Sequence, residues 1–205
     1  APVCAANQIA NTVYNENFEN HNLTFSRWAS ASAVGPNPWY FPQTLNPYGE
    51  DDLHYATSGL WHLWGDNLSQ VNDGWMEMTQ GVTVPSNGNP YMRFRHSYAF
   101  EWDNAGYYDG GVLEYSANSG AWTDAAPLFT HNGYDGVINS PFTPYNPLKG
   151  RQGFRASSWG YQSTRLNLAS LAGQNVRFRF RVGADGDYAY WGWFIDDVQV
   201  YTCVA

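Results

Sequence analysis

Val176-Arg177-Phe178-Arg179-Phe180-Arg181-Val182 alternates apolar and cationic residues without a break, the pattern of a strand that turns one face to a core and the other to water. This is a strand from an antiparallel sheet. The same period of two recurs in Tyr91-Met92-Arg93-Phe94-Arg95-His96-Ser97-Tyr98-Ala99-Phe100, in Gly111-Val112-Leu113-Glu114-Tyr115-Ser116, and in Trp193-Phe194-Ile195-Asp196-Asp197-Val198-Gln199-Val200-Tyr201. Two sheets facing each other satisfy all four. Helical pattern is confined to Leu166-Asn167-Leu168-Ala169-Ser170-Leu171-Ala172-Gly173, too short to stand alone and closed by a glycine. One turn is expected there, and the fold class is all-β.

The 205 residues carry a net charge of -8, with 18% aromatic and 14% charged residues. That excludes a disordered tail, a coiled coil and a basic nucleic-acid binder. Nine of the ten cations are Arg, and Lys149 is the lone Lys. A single domain over 1–205 is expected, with long ring-bearing loops at 34–50 and 131–150 that packing or a ligand must hold. No stretch is apolar for the roughly 20 residues a membrane helix needs, so no membrane insertion is expected. The start, Ala1-Pro2-Val3-Cys4, lacks the basic and apolar runs of a signal peptide; a mature form or an excised module is expected. Cys4 and Cys203 stand at opposite ends of the chain. A disulfide between them is the natural reading, with two buried thiols as the alternative, and such a bond implies an oxidising, extracellular compartment.

The stretches Asn17-Phe18-Glu19, Glu101-Trp102, Tyr108-Asp109-Gly110-Gly111-Val112-Leu113-Glu114-Tyr115-Ser116, Ala121-Trp122, Gly160-Tyr161, Leu168-Ala169-Ser170-Leu171-Ala172-Gly173 and Gly192-Trp193-Phe194-Ile195-Asp196-Asp197-Val198 follow one another in that order. Together they resemble a MAM-like jelly-roll module, of the kind that forms accessory C-terminal domains in secreted bacterial metallopeptidases of the immune-inhibitor-A type. The region 31–90 has no counterpart in that likeness. The resemblance implies a two-sheet antiparallel jelly-roll sandwich, a structural calcium ion near the chain ends, and a binding or stabilising role.

Residue chemistry points to the same ion. If Phe194, Val198 and Val200 face inward, alternation puts Asp196 among them, and a buried carboxylate needs a cation or hydrogen bonds. Calcium accepts six to eight oxygens in irregular geometry. The resemblance places Glu19 and Asp196 or Asp197 in its shell, with Asp51 and Asp52 completing it and Asn17 standing where an acidic residue is common. The alternative is a carboxylate held by backbone amides or an Arg. Asp185-Gly186-Asp187 and Asp109-Gly110-Gly111 read as turns, because neither has the acidic ladder of a calcium loop.

No His-Glu-x-x-His, Gly-x-Ser-x-Gly or phosphate-cradling loop occurs in the sequence, so the expectation is a module that is not an enzyme. Glu101-Trp102-Asp103 resembles the start of the Glu-x-Asp-x-x-Glu strand of jelly-roll glucanases, but Ala105 and Gly106 stand where the second Glu belongs. A concanavalin-like glycoside hydrolase or polysaccharide lyase is therefore the rival, and a purely structural domain of a larger secreted protein is a third reading. The expected partner is a polysaccharide or an extracellular protein. Trp61, His62 and Trp64 are the candidate ligand-binding residues, rings stacking on a sugar while polar neighbours take its hydroxyls. His54 and His62 flank the same loop, where packed or exposed histidines outweigh zinc ligands. Arg177, Arg179 and Arg181, with Arg93 and Arg95 beside them, are read as a solvated face with cross-strand ion pairs. Asn22-Leu23-Thr24 and Asn67-Leu68-Ser69 match glycosylation sequons.

Overall fold

The alternating segments pair into two antiparallel sheets in the computed structural model, which describes residues 3–42 and 55–205. Asp51, Asp52 and His54 lie outside the described residues. In chain order the first elements are β1 (Ile9–Glu16), helix α1 (His21–Arg27), β2 (Trp28–Val34), β3 (Trp39–Tyr40), β4 (Leu63–Gly65), β5 (Asn72–Met78), β6 (Val82–Thr83) and β7 (Asn89–Ala99). There follow β8 (Gly110–Ala117), β9 (Thr123–Asp124), β10 (Phe129–His131), β11 (Gly136–Val137), β12 (Gln152–Gly153), β13 (Gln162–Asn167), β14 (Asn175–Ala184) and β15 (Gly192–Val204). Among the described residues one sheet runs β10-β13-β7-β15-β4-β3 with β1 also on β15; the other runs β2-β5-β14-β8-β9 with β6 also on β14. The all-β, two-sheet sandwich is as expected.

Val176, Phe178, Phe180 and Val182 are all buried. Phe180 meets Trp28, Trp39, Phe94 and Trp193 between the sheets. Opposite Trp193 the chain must be glycine, because a Cβ on Gly111 would run into the indole. The Arg face departs from expectation: Arg179 is buried, its guanidinium 4.6 Å from the Trp75 ring and 4.5 Å from the Trp122 ring. Trp75 on β5 and Trp122 in the β8–β9 connection cover the cation, which alternation within one strand cannot show. Arg93 and Arg95 sit on β7 in the opposite sheet, so they do not extend the row. The expected cross-strand ion pairs are present, Arg179 and Arg181 both reaching Glu114 on β8.

β15 breaks its own alternation. The register slips between Asp196 and Gln199, with Asp197 at φ 48°, so Trp193 and Ile195 share the core with Val198 and Val200. The bulge changes the strand's parity, and Asp196 packs on the face away from that core, against Thr57 and Ser58. Helix α1, capped by the Asn20 side chain accepting from Leu23 N at 3.1 Å, has too few residues to show a periodicity. The single turn expected near Leu166–Gly173 is a 3-10 turn at Ala169–Leu171. β1 zips onto β15 from Ile9 opposite Val204 to Glu16 opposite Val198, which brings Cys4 to Cys203 as a disulfide spanning 199 residues.

Candidate functional site

Glu101 follows β7, Asp109 precedes β8, and Asp185 follows β14, so three sheet ends converge at one edge of the sandwich. Asn67, fully buried, ties them together. Its Oδ1 accepts from Glu101 N at 3.1 Å and Tyr190 N at 3.2 Å, while its Nδ2 donates to Asp109 Oδ2 at 2.6 Å. Asp109 Oδ1 accepts from Asp185 N at 2.8 Å, and Asp185 Oδ1 from Asp187 N at 3.1 Å. The turn between them needs glycine, since Gly186 has φ 123°. Between β7 and β8 the chain folds back through a Trp102–Tyr107 bridge, with Asp103 Oδ1 accepting from Ala105 N, Gly106 N and the Tyr108 hydroxyl.

Above these carboxylates opens a cleft of about 560 Å³, walled by Trp102, Tyr108, Phe142, Tyr188 and Tyr190. Phe142, stacked on Tyr108, is 59% exposed and Tyr188 68%, so both rings keep area open to a ligand. Asp103, Asp185 and Asp187 also line it. Rings with convergent polar groups in a concave space are the general make-up of a small-molecule or sugar site.

Glu101, Asp109 and Asp185 are each buried, and each offers an oxygen within 4.8 Å of the other two. Among the described residues no other three acidic, His or Cys groups gather this closely, and none of the three forms a salt bridge with an Arg or Lys. Burial pushes the Asp109 carboxyl up to about 8, against the pull of its Asn67 and Asp185 hydrogen bonds. Burial, then the charges of Asp185 and Asp187, push Glu101 up to about 7. Burial also raises Asp185.

The expected calcium ligands lie elsewhere, at the seam where β1 meets β15. Glu19 Oε1 accepts from Leu60 N and Trp61 N at 2.9 and 2.8 Å. Asp196 Oδ2 accepts from Thr57 N at 2.8 Å and Ser58 N at 3.1 Å, and Asp197 Oδ1 from Ser58 Oγ at 2.7 Å. All three carboxylates thus grip one segment, 57–61, while Asn17 Oδ1 only closes a local turn onto Glu19 N. Gly59 presses on Glu19 so closely that a Cβ would overlap its carboxylate. Thr57 Oγ1 lies 2.9 Å from both Asp196 Oδ2 and Asp197 Oδ2. A hydroxyl donates only one proton, so Thr57 Oγ1 can donate to only one of them. All three carboxylates offer oxygen, the donor a hard ion takes, but among the described residues their atoms do not gather within 4.8 Å of one another as those of Glu101, Asp109 and Asp185 do, and backbone amides and hydroxyls hold them, the alternative the sequence left open.

Trp61, His62 and Trp64 are packed inward. Trp64 stacks on Tyr40 and Phe194 and donates from Nε1 to Trp191 O at 2.8 Å. His62 is buried beside Phe194, and the half-buried Trp61 meets His21 edge-on. Asn67 of the second sequon is buried with its amide engaged, so the folded chain presents no acceptor there. The cleft rings Phe142, Tyr188 and Tyr190 escaped sequence reasoning. Only Asp185-Gly186-Asp187 and Glu101-Trp102-Asp103, both noticed as local patterns, mark its walls.

No family model and no curated protein matches the chain. Among solved structures, the K3 cleaved adhesin domain of Lys-gingipain from Porphyromonas gingivalis superposes with a TM-score of 0.51 at 18% identity, over 94% of this chain and 99% of that one. The carbohydrate-binding module TmCBM61, solved with β-1,4-galactotriose, reaches a TM-score of 0.49 at 14% identity, over 91% of this chain and 99% of that one. The mannan-recognising module TmCBM27 reaches 0.46 at 10% identity, over 95% and 98%. The two carbohydrate-binding modules superpose more loosely. The adhesin likeness establishes a shared sandwich fold, and at 18% identity that is its reach.

Proposed function

We propose that the chain is a non-catalytic, secreted glycan-binding module of the MAM-like jelly-roll kind, serving as an accessory domain. The supporting observation is the cleft in which Trp102, Phe142, Tyr188 and Tyr190 surround the acceptors of Asp103 and Asp187. A pyranose lays its C–H face on a ring while carboxylates take its hydroxyls. Secretion is favoured by the Cys4–Cys203 disulfide, and no helix among the described residues is long and apolar enough to cross a membrane. At the seam, Glu19, Asp196 and Asp197 are assigned a structural calcium ion, with Asn17, Asp51 and Asp52 as the remaining candidate ligands. That ion would tie the segment 57–61 to the final strand.

A glycosidase reading has one point in its favour, carboxylates near the spacing of a retaining pair. Burial weighs against it. Asp109 is wholly covered, and a retaining pair must reach both faces of an exposed glycosidic bond.

Electrophoresis through gels cast with a panel of soluble polysaccharides, galactan and mannan included, tests the binding reading. Retardation by at least one polysaccharide, lost in Tyr190→Ala and Tyr188→Ala, is expected. Unchanged mobility across the panel, or release of reducing ends, overturns it.

A further inference from the structure

The Glu101–Asp109–Asp185 trio is distinct from the seam set and shares no residue with it. Three observations bear on what it holds. Its ligand oxygens lie within 4.8 Å of one another, so a point exists no more than about 2.8 Å from all three, close enough that a small side-chain adjustment brings them to the roughly 2.3–2.6 Å of calcium–oxygen bonds. Glu101 is only 7% exposed, and its Oε2 is buried with no hydrogen-bond partner, an orphan that costs free energy unless something meets it. Finally, the oxygens of Asp109 each take one N–H donor, which leaves a lone pair on each for a further contact.

We propose that Glu101, Asp109 and Asp185 bind a second hard divalent cation, calcium by its chemistry, beneath the floor of the cleft. The donor set contains oxygen alone, which suits calcium and disfavours zinc, whose sites draw on Cys and His and whose bonds to oxygen are shorter. Bound there, the ion replaces the protons that three close carboxylates otherwise share; like charges at this spacing cannot all ionise unaided. It also fixes the Asp185-Gly186-Asp187 turn, from which Tyr188 and Tyr190 extend into the cleft wall. The inference does not depend on the glycan reading, because no sugar takes part.

The test is calcium chloride titrated calorimetrically into the chelator-stripped full chain, into Glu101→Gln, and into the seam double variant Asp196→Asn/Asp197→Asn. The unaltered chain is expected to bind one more calcium per molecule than Glu101→Gln, and the seam variant to keep the ion that Glu101→Gln loses. Equal stoichiometry in the unaltered chain and in folded Glu101→Gln overturns the proposal. Should Glu101→Gln fail to fold by circular dichroism, crystals of the unaltered chain grown in calcium chloride decide. A seven- or eight-oxygen ion at the trio supports the site, and density without one there overturns it.

Discussion

Two carboxylate clusters meet strand β8, one around Asp109 and one around Glu114, and they solve the same electrostatic problem in opposite ways. Glu114 is surrounded by guanidiniums: Oε1 accepts from Arg151 Nη1 at 2.7 Å and Arg181 Nη1 at 3.2 Å, and Oε2 from Arg179 Nε at 2.5 Å. Arg181 also grips Asp73 with two bonds of 2.7 and 2.6 Å, and Arg151 reaches Asp124 at 2.7 Å. Three cations thus face three carboxylates. Burial pushes Glu114 up, but Arg151 and Arg179 outweigh it and hold the carboxyl below the ordinary glutamate range. Around Asp109 no guanidinium of the described residues enters, and the carboxyls rise instead. A cluster closed by side chains is structural; one left open to a ligand is a candidate for function.

Glu114→Gln has the largest expected effect. It strands the buried Arg179, while Arg151 and Arg181 keep Asp124 and Asp73, and breaking one partner of such a group costs about 3 kcal/mol, measurable as a lower denaturant midpoint. Glu101→Gln, in chelator, leaves stability equal or higher because it removes a repelling charge. Equal losses in the two variants break the contrast.

Next comes pH. Asp109 is pushed up to about 8 in the folded chain, so below that pH the folded state holds a proton that the unfolded chain releases near 4. Its contribution is complete below about pH 4 and fades as pH rises to about 8. The melting temperature of the metal-free chain should therefore fall over that range and recover with calcium. Glu114 runs the other way, its contribution lost as pH drops through the glutamate range. A metal-free melt that stays flat from pH 5 to 8 means that Asp109 ionises at an ordinary aspartate pH, and the contrast between the clusters then loses its electrostatic basis.

Arg181→Lys follows, costing about 1.5 kcal/mol through loss of the two-pronged grip on Asp73; thermal melts beside the unaltered chain measure it. The smallest effect on folding belongs to Tyr190→Ala, within about 0.5 kcal/mol because the ring is exposed. Its polysaccharide retardation should nonetheless vanish. A large stability loss there assigns the ring to packing.

Period-two segments were enough to place β7, β8, β14 and β15, and two cysteines at the chain ends were enough to predict their bond. Short elements were less legible. Strands such as β3, β4 and β6 have two or three residues each, too few for any periodicity. The seam carboxylates Glu19, Asp196 and Asp197 were visible through resemblance, but the segment they hold was not. Asn67 looked like a sequon, since nothing local distinguishes an exposed amide from one that bridges three segments.

What the sequence determined by itself is the sandwich: alternation dictates which side chains must leave water, and burial of rings such as Phe180 then demands a second sheet. Tertiary structure alone decided where the carboxylates fell, which met an arginine and which met amides and one another. That outcome depends on strand order, on the β15 bulge that turns Asp196 out of the core, and on contacts between residues far apart along the chain, Asn67 with Tyr190 among them. Backbone periodicity is local, whereas the field at a buried charge is summed over everything the fold brings near it.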